Sequence, residues 1–528
     1  MILFLGATIF SDAQAPSIQW QKRYGGSLGE NFIDGINTRD GGFIFAGGSR
    51  SNDGEVNGNY GNVDVWVVKV DNAGNIQWEN NYGGSNIELA EAIDQTKDGG
   101  YIIAGNTQSN DFDVTGYHGN VDYWIIKIDS TGNLIWQKCL GGSSYETSSS
   151  VHQTNDGGYI VGGVTLSNDG DVSGLHNNLG NFDFWVVKLD SMGNLQWQHC
   201  FGSDSPEEHC KVVISKDNKY VASGFSSGMN NGDVNCFQHG GGDYWVVKLD
   251  TNGIILSQNC FGGSMGEIGY AIDTTFGSGF IIAGASNSSD GDVTGVHGIN
   301  PYRPDYWIVK TDSSLNLQWE KCLGGGEIDV PSQIQQTNDS GYIVTGYTES
   351  NDGDVTGNHS FGFGQDFWTV KLDRYGNLEW QRASGGSANE LENAVIQTLD
   401  SGFLIIGGTT STDGDLTGIS SHGDGDAWVV KLFPSSTGVN LSINPFNDFN
   451  FYLNPINNNL YLNFSAKGNE QIRVELIDIT GRILISQPLS IKNGFNNKEV
   501  YIGELSNGVY IVSMVTDKRR VGKKLIKN

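Results

Sequence analysis

Thirteen carboxylates recur in one kind of polar stretch: SNDGEVNG (51–58), SNDFDVTG (109–116), SNDGDVSG (167–174), NNGDVN (230–235), SDGDVTG (289–295), SNDGDVTG (350–357) and STDGDLTG (411–418). The acids are Asp53 and Glu55, Asp111 and Asp113, Asp169 and Asp171, Asp233, Asp290 and Asp292, Asp352 and Asp354, and Asp413 and Asp415. Carboxylates two apart, mostly around a glycine, form a candidate hard-cation loop, because Asp and backbone oxygens suit Ca²⁺. It is not an EF-hand, since the twelfth-position Glu and the flanking helices are missing. The competing and preferred reading is a polar turn in which Asp accepts backbone N–H bonds.

Six of the nine His follow these stretches in the same long loops: His118, His176, His239, His297, His359 and His422, with Tyr60 in the first. A His near paired Asp suits a transition metal. The distance to the following Asp varies between four, seven and eight residues, which a metal site tolerates poorly, so loop packing or hydrogen bonding is expected. A further acid recurs at Glu30, Glu88, Glu146, Glu207, Glu267, Asp329 and Glu390, and a Lys at Lys69, Lys127, Lys188, Lys248, Lys310, Lys371 and Lys431. The acids could gather cations around a central channel. The plainer expectation is that each satisfies local backbone or the repeated Lys, since a charge in a buried strand needs a partner. A catalytic constellation occurs once, whereas these features occur about seven times. No G-x-S-x-G elbow, H-E-x-x-H, Walker loop or Rossmann fingerprint is present, so no catalytic residue is assigned.

The elements that carry these residues repeat. VDVWVVKVD (63–71), VDYWIIKID (121–129), FDFWVVKLD (182–190), GDYWVVKLD (242–250), PDYWIVKTD (304–312), QDFWTVKLD (365–373) and GDAWVVKLF (425–433) are seven copies of one strand, with Trp residues 58 to 62 apart. Each repeat reads as four short strands with turns between them, as in LAEAIDQT, YIIAGNT, VDYWIIKID and NLIWQKCLGG. The third strand is apolar on both faces, as in a sheet packed on both sides. All 13 Trp fall at two repeat positions, in the third and fourth strands. Packing between sheets is expected of them, not sugar stacking.

SIQWQKRYGG (17–26) is a fourth strand without the first three, and the last repeat ends at Phe433 with three strands and no fourth. Joining the two completes the pattern, so the sequence predicts an all-β fold with a seven-bladed propeller whose ring the N-terminal strand closes. In such a meander, the connections between strands two and three and from strand four to the next blade share one face. That face has the long loops, and loops on a rigid scaffold are where function is expected. Repeat four (Pro206, Cys210, Met229, Cys236) and repeat five (Asn300 to Pro304) depart most from the pattern, and a specific ligand is expected there.

The net charge is −29. Residues 451–528 carry 11 Lys and Arg against 6 Asp and Glu, a net of +5, which leaves 20 against 54, a net of −34, for residues 1–450. Such an acidic body repels nucleic acid and anionic membranes. MILFLGATIFSDAQA (1–15) is an apolar run ending in Ala-Gln-Ala, a secretory cleavage pattern without the usual basic start. No later run is long enough to span a membrane as a helix. Cys139, Cys200, Cys260 and Cys322 occupy one repeat position and are expected to be small buried residues. Cys210 and Cys236 share a repeat and are the candidate disulfide.

After a linker (434–450), residues 451–528 read as a small Ig-like β-sandwich. This stretch resembles the type A C-terminal sorting domain of proteins exported by the type IX secretion system of Bacteroidota. The resemblance rests on Tyr452-Leu453-Asn454-Pro455 with Leu460, on Asp478-Ile479-Thr480-Gly481-Arg482, on Leu505 to Val512 including Gly508 and Tyr510, and on Lys523-Lys524-Leu525-Ile526-Lys527. Leu453 stands where the family usually has Pro. The resemblance implies export, the secretion machinery as partner, and a secreted or outer-membrane surface location. The expected organisation is a signal peptide (1–15), the propeller (16–433), the linker (434–450) and the sorting domain (451–528). The expected function is non-enzymatic binding or adhesion to a surface glycan or protein, with calcium as the one candidate ion. The alternative is a secreted propeller enzyme acting on polysaccharide, as a lyase or glycoside hydrolase.

Overall fold

The structure is a computed structural model, and it describes residues 15–176, 180–228, 231–297, 302–360, 364–434, 446–454, 459–466, 470–478, 482–492, 494–501, 508–515 and 520–527. The signal peptide except residue 15, most of the linker, Met229, Asn300, Pro301, Pro455 and Gly481 lie outside the described residues. The chain divides into two compact units, Met1–Ser435 and Ser436–Asn528.

Strand-forming runs of Val, Ile, Tyr and Trp, punctuated by Gly and Asp turns, set the architecture of the first unit. Among the described residues it contains seven four-stranded antiparallel sheets. Sheet 1 comprises Glu30–Asn37, Phe43–Ser49, Asp64–Val70 and Ile76–Tyr82, and sheet 2 comprises Glu88–Gln95, Tyr101–Thr107, Asp122–Ile128 and Leu134–Leu140. Sheets 3 to 6 repeat this order from Glu146, Glu207, Glu267 and Asp329. Sheet 7 has three consecutive strands, Glu390–Gln397, Phe403–Thr409 and Asp426–Leu432, and takes Ile18–Tyr24 as its fourth. The register of that borrowed strand is the usual one. Trp20 faces Lys431 and Arg23 faces Trp428, as Trp136 faces Lys127 and Cys139 faces Trp124 in sheet 2.

The third strands are buried on both faces, as their apolar composition requires, and all seven of their Trp are fully buried. The Trp indole packs against the preceding sheet. Tyr123 meets Trp185 at 4.6 Å between ring centres, Tyr244 meets Trp307 at 4.6 Å and Tyr306 meets Trp368 at 4.5 Å. The indole N–H, which cannot be left unpaired when buried, donates within its own sheet to a fourth-strand side chain. Examples are Trp124 to Gln137 at 2.9 Å and Trp185 to Gln198 at 2.7 Å, and in sheet 7 the acceptor is Gln21 of the borrowed strand.

First strands have one edge without a partner in their own sheet, and its N–H groups need acceptors. Side chains of the neighbouring first strand supply them. Asp34 accepts from Ile93, Asp94 from Gln153, Ser150 from Val212, Asp273 from Gln336 and Gln335 from Gln397, at 2.8–3.3 Å. Asn37 of sheet 1 donates to Gln397 O of sheet 7 at 2.9 Å.

One expectation needs correction, and one alternative is decided. The disulfide joins Cys236 to Cys260, with Cα atoms 5.6 Å apart, and Cys210 is free and buried. Each long loop folds back on the fourth strand of its own sheet, as Asn235 N to Gln258 Oε1 at 2.9 Å shows. That fold brings Cys236 to the strand that carries Cys260. Of the two partners expected for the acids that open the first strands, local backbone is the one they take, and the repeated Lys is not. Those Lys reach the tight-turn acids on the other face: Lys69 to Asp40, Lys127 to Asp98, Lys188 to Asp156, Lys248 to Asp217, Lys371 to Asp339 and Lys431 to Asp400, at 2.8–3.1 Å.

The second unit pairs a three-stranded sheet (Phe446–Asn454, Asn459–Ala466, Gly494–Tyr501) with a four-stranded one (Ile483–Ile491, Glu470–Asp478, Gly508–Val515, Arg520–Lys527). Leu460, Leu462 and Val500 from one sheet share a core with Val474, Leu476, Val512 and Met514 from the other. The strand from Phe446 begins inside the expected linker, where NPFNDFN has no β-branched run to announce it. In the closing hairpin Tyr510 faces Leu525, Val509 faces Ile526 and Ile511 faces Lys524.

Sheet 5 is the exception to the Lys rule. Its turn has Gly277 where the other sheets have Asp, and among the described residues Lys310 bonds Thr311 O and Gln318 Oε1 and no acid. Burial pushes its ammonium down to about 8. Gly277→Asp should supply the missing partner and stabilise the chain by about 0.5–1 kcal/mol, the range of a partly exposed pair. A melting temperature that does not rise would show that the Lys–Asp pairs do not support the fold.

Candidate functional site

The long loops and the sheet-to-sheet connections form one face, and its chemistry repeats. In sheet 2, Asp111 Oδ1 accepts Ser85 N at 2.8 Å. Asp53, Asp169, Asp290, Asp352 and Asp413 accept from the equivalent residue at 2.7 Å. These N–H bonds hold Asp53, Asp169, Asp290 and Asp413 below the usual carboxylate range. The second acids lie deeper. Asp113, Asp171, Asp292 and Asp354 each sit 3.3–3.4 Å from a glycine N–H of the connection, and Glu55 does the same at 3.3 Å. Asp233 faces His176, and Asp415 faces Arg382 at 3.5 Å. Among the described residues, no group of three or more His, Cys, Asp or Glu is arranged to hold a metal ion.

The His residues converge despite their unequal spacing. His118, His176, His239, His297 and His359 each place Nδ1 2.7–2.9 Å from the buried Asp that opens the third strand, and His422 does so at 3.2 Å. Four of them reach on to the second acid of the next sheet: His118 to Asp171 at 3.6 Å, His176 to Asp233 at 3.3 Å, His239 to Asp292 at 3.7 Å and His297 to Asp354 at 3.4 Å. Nδ1 thus makes the hydrogen bond expected of the imidazole within its own sheet, and in four sheets Nε2 faces a carboxylate of the next.

The acids that open the first strands satisfy local backbone, as expected. Glu88 accepts Gly84 N at 2.7 Å and Thr107 Oγ1 at 2.8 Å. Beside it lies the third-strand Asp, and the two crowd the first glycine of the connection. A Cβ on Gly141 would fall 2.6 Å from Glu146 and 2.8 Å from Asp122, so no larger residue fits. Burial pushes Glu207, Glu267 and Asp329 up to about 7 and Asp64 up to about 6. In sheet 7 the equivalent Asp426 instead meets Arg23 of the borrowed strand at 3.4 Å, with both side chains buried.

Two departures from the repeat were not legible as a site. The first is a set of charges on the first strands: Asp34, Glu91, Asp94, His152, Lys211 and Asp273, drawn from five sheets. His152 Nδ1 lies 3.7 Å from Asp94, and Lys211 interacts electrostatically with Asp34 and Glu91. Burial raises Glu91 to about 7 and lowers Lys211. The available signal was charge at first-strand positions that other repeats leave uncharged, as Ile36, Val213 and Ile396 do where Asp94 and Asp273 stand. The second departure is Tyr60 against Phe112, stacked at 4.9 Å and 24° and both exposed. Phe112 has φ 53°, a left-handed conformation that costs a non-glycine residue roughly 1–2 kcal/mol.

Residues 450–528 match the family model described as a secretion system C-terminal sorting domain. The C-terminal unit is thus a type IX secretion sorting domain, and the protein is secreted or held at the cell surface. No helix of the described residues is long and apolar enough to cross a membrane. No curated protein matches the chain by sequence. Among solved structures, the chain is similar to a DUF4221 family member from Bacteroides vulgatus (9% identity, 65% of this chain and 96% of that one, TM-score 0.31). It is also similar to a glycoside hydrolase family 43 arabinoxylan arabinofuranohydrolase from Bacillus subtilis (11%, 98% and 95%, 0.28) and to an apocarotenoid oxygenase from Synechocystis (10%, 93% and 98%, 0.37). Likeness this distant carries nothing about what this chain binds or does.

The pH dependence follows from the raised groups. Glu207, Glu267 and Asp329 have folded values above their unfolded ones, and the hydrogen bond to Asp183 raises His176. Each contributes stability that is fully present below its unfolded pKa and lost as pH rises through the folded one. Asp40 and Asp156, held down to about 2, lose their contribution only in stronger acid. The melting temperature should therefore be higher at pH 5 than at pH 8, and Glu207→Gln should flatten the slope. A melting temperature that rises from pH 5 to pH 8 would contradict the assigned burial of these acids.

Proposed function

We propose that the seven sheets close into a seven-bladed propeller over residues 16–433, and that this propeller is a non-enzymatic binding module exported through the sorting domain. The reading is carried by one observation: on the loop face the repeated carboxylates are committed to hydrogen bonds within and between sheets, and the repeated imidazoles to the third-strand Asp of their own sheet. They make that face a stiff scaffold, and residues that depart from the repeat are left to contact a ligand. Closure is supported by the register of Ile18–Tyr24 in sheet 7 and by the Asn37–Gln397 bond between sheets 7 and 1. Residues 1–15 act in this scheme as the export signal, and the stretch from residue 434 up to the strand at Phe446 leads to the sorting domain.

A second reading, an enzyme acting on polysaccharide, is favoured by the charges on the first strands, which do not recur in every sheet. Paired acids about 5–10 Å apart are what such chemistry uses. Incubation of the full chain with soluble polysaccharides separates the two. The binding reading expects no new reducing ends and no unsaturated products, and release of either would overturn it.

Closure and the role of calcium each have their own test. Arg23→Ala leaves Asp426 buried without its cation, a change that costs about 3–5 kcal/mol in buried pairs. It should lower the melting temperature far more than Cys139→Ala, which occupies the same register in sheet 2. Equal effects would mean that the borrowed strand does not hold a ring together. For calcium, an ion that fills the loops at 100 times its Kd adds about 2.7 kcal/mol. The hydrogen-bonded turns predict no such shift, so melting with calcium and after chelation should coincide. A fall on chelation would establish calcium as a stabiliser of the face.

A further inference from the structure

We propose that Tyr60 and Phe112 form a stacking platform for a neutral glycan on the loop face. The proposal deepens the binding reading above and rests on it. Six of the seven loops place glycine at one turn position: Gly54, Gly170, Gly232, Gly291, Gly353 and Gly414, with φ between 60° and 67°. In sheet 2 that position is Phe112, at φ 53°. Left-handed backbone is unfavourable for a bulky side chain, and a strained residue of this kind points to a role that outweighs its cost. The turn does not need the ring, since glycine makes the same turn six times. The ring is not used in a core either, being 63% exposed.

Tyr60 is the second departure. It stands where the other six sheets have His, and its N–H donates to Asp64 at 2.6 Å as that of His118 donates to Asp122 at 2.8 Å. The backbone is therefore that of the repeat, and only the side chain differs. Its phenol lies near Asp113, and its ring, 45% exposed, stacks on Phe112. Two unrelated exceptions to the repeat thus meet in one exposed contact between sheets 1 and 2.

The surroundings fit a sugar. The connection Gly84-Ser85-Asn86 runs between the two loops: a Cβ on Gly61 would lie 2.4 Å from Gly84 O, and Ser85 N bonds Asp111. Asn86 and Asn110 add exposed amides at this rim. A pyranose has an apolar C–H face, which suits the electron-rich face of an aromatic ring, and a hydroxyl edge, which suits amides and carboxylates. Asp113, beside the Tyr60 phenol, and Asp111, next to Phe112 in the same loop, disfavour an anionic glycan. Two rings are also far less than the roughly 800 Å² per partner that a stable protein interface buries.

The test is affinity electrophoresis of the full chain in native gels containing xylan, mannan or β-glucan, with polygalacturonate as the anionic comparison. At least one neutral polysaccharide should retard the protein, and polygalacturonate should not. Phe112→Gly should weaken retention at least tenfold while leaving the melting temperature unchanged or higher, because it restores the residue of the other six turns. Tyr60→His should weaken it too, whereas Phe237→Ser, which removes another exposed ring, should not. Absence of retardation by every neutral polysaccharide, or a Phe112→Gly variant that binds as the parent does, would overturn the platform. Sugar products released by a chain whose retention still depends on Phe112 would overturn the non-enzymatic reading alone.

Discussion

Everything in the first unit depends on one constraint: a four-stranded sheet that is apolar on both faces cannot be stable by itself. Each sheet must be covered on both sides, and only a neighbour of the same kind offers the matching surface. The third-strand Trp meets this need directly. Its ring fills the space against the preceding sheet, and its N–H is satisfied inside its own sheet, so it orients the packing without leaving a buried donor unpaired. The terminal sheets have the same need as the others, which is why the borrowed strand and the contacts between sheets 1 and 7 follow from the same physics.

Polar groups then fix what apolar packing leaves free. On one face Lys reaches past the end of its strand to a turn Asp. On the other, buried acids gather the N–H groups of the glycine connection, and His bonds the Asp of its own sheet while facing an acid of the next. These groups look like ligands when the sequence is read alone, because acids, imidazoles and glycines at short spacing also describe ion sites. In the fold they serve the backbone. Side chains free to meet a partner are those that break the pattern, such as Phe112 and Tyr60.

Much of the fold was legible because it is local. Strand length, turn positions, the fourth strand stranded at the N-terminus and the burial of the third-strand Trp follow from periodicity and turn chemistry within about 60 residues. The sorting domain was legible because its motifs are contiguous. The strand from Phe446 was not, since its Asn-rich sequence carries no β signal and its pairing with Asn459–Ala466 decides its state.

The sequence by itself determined the repeating unit, the number of copies and the compartment. Only the tertiary structure decided which groups meet across sheets. Cys236 finds Cys260 because its loop folds back on the fourth strand, and the His residues reach one kind of Asp from four, seven or eight positions away because loop length absorbs the difference. Lys127 turns to Asp98 rather than to Glu88 because the strand sends its ammonium to the opposite face. Contacts of this kind are set by how neighbouring strands and sheets lie against one another, a distance that spacing along the chain does not encode.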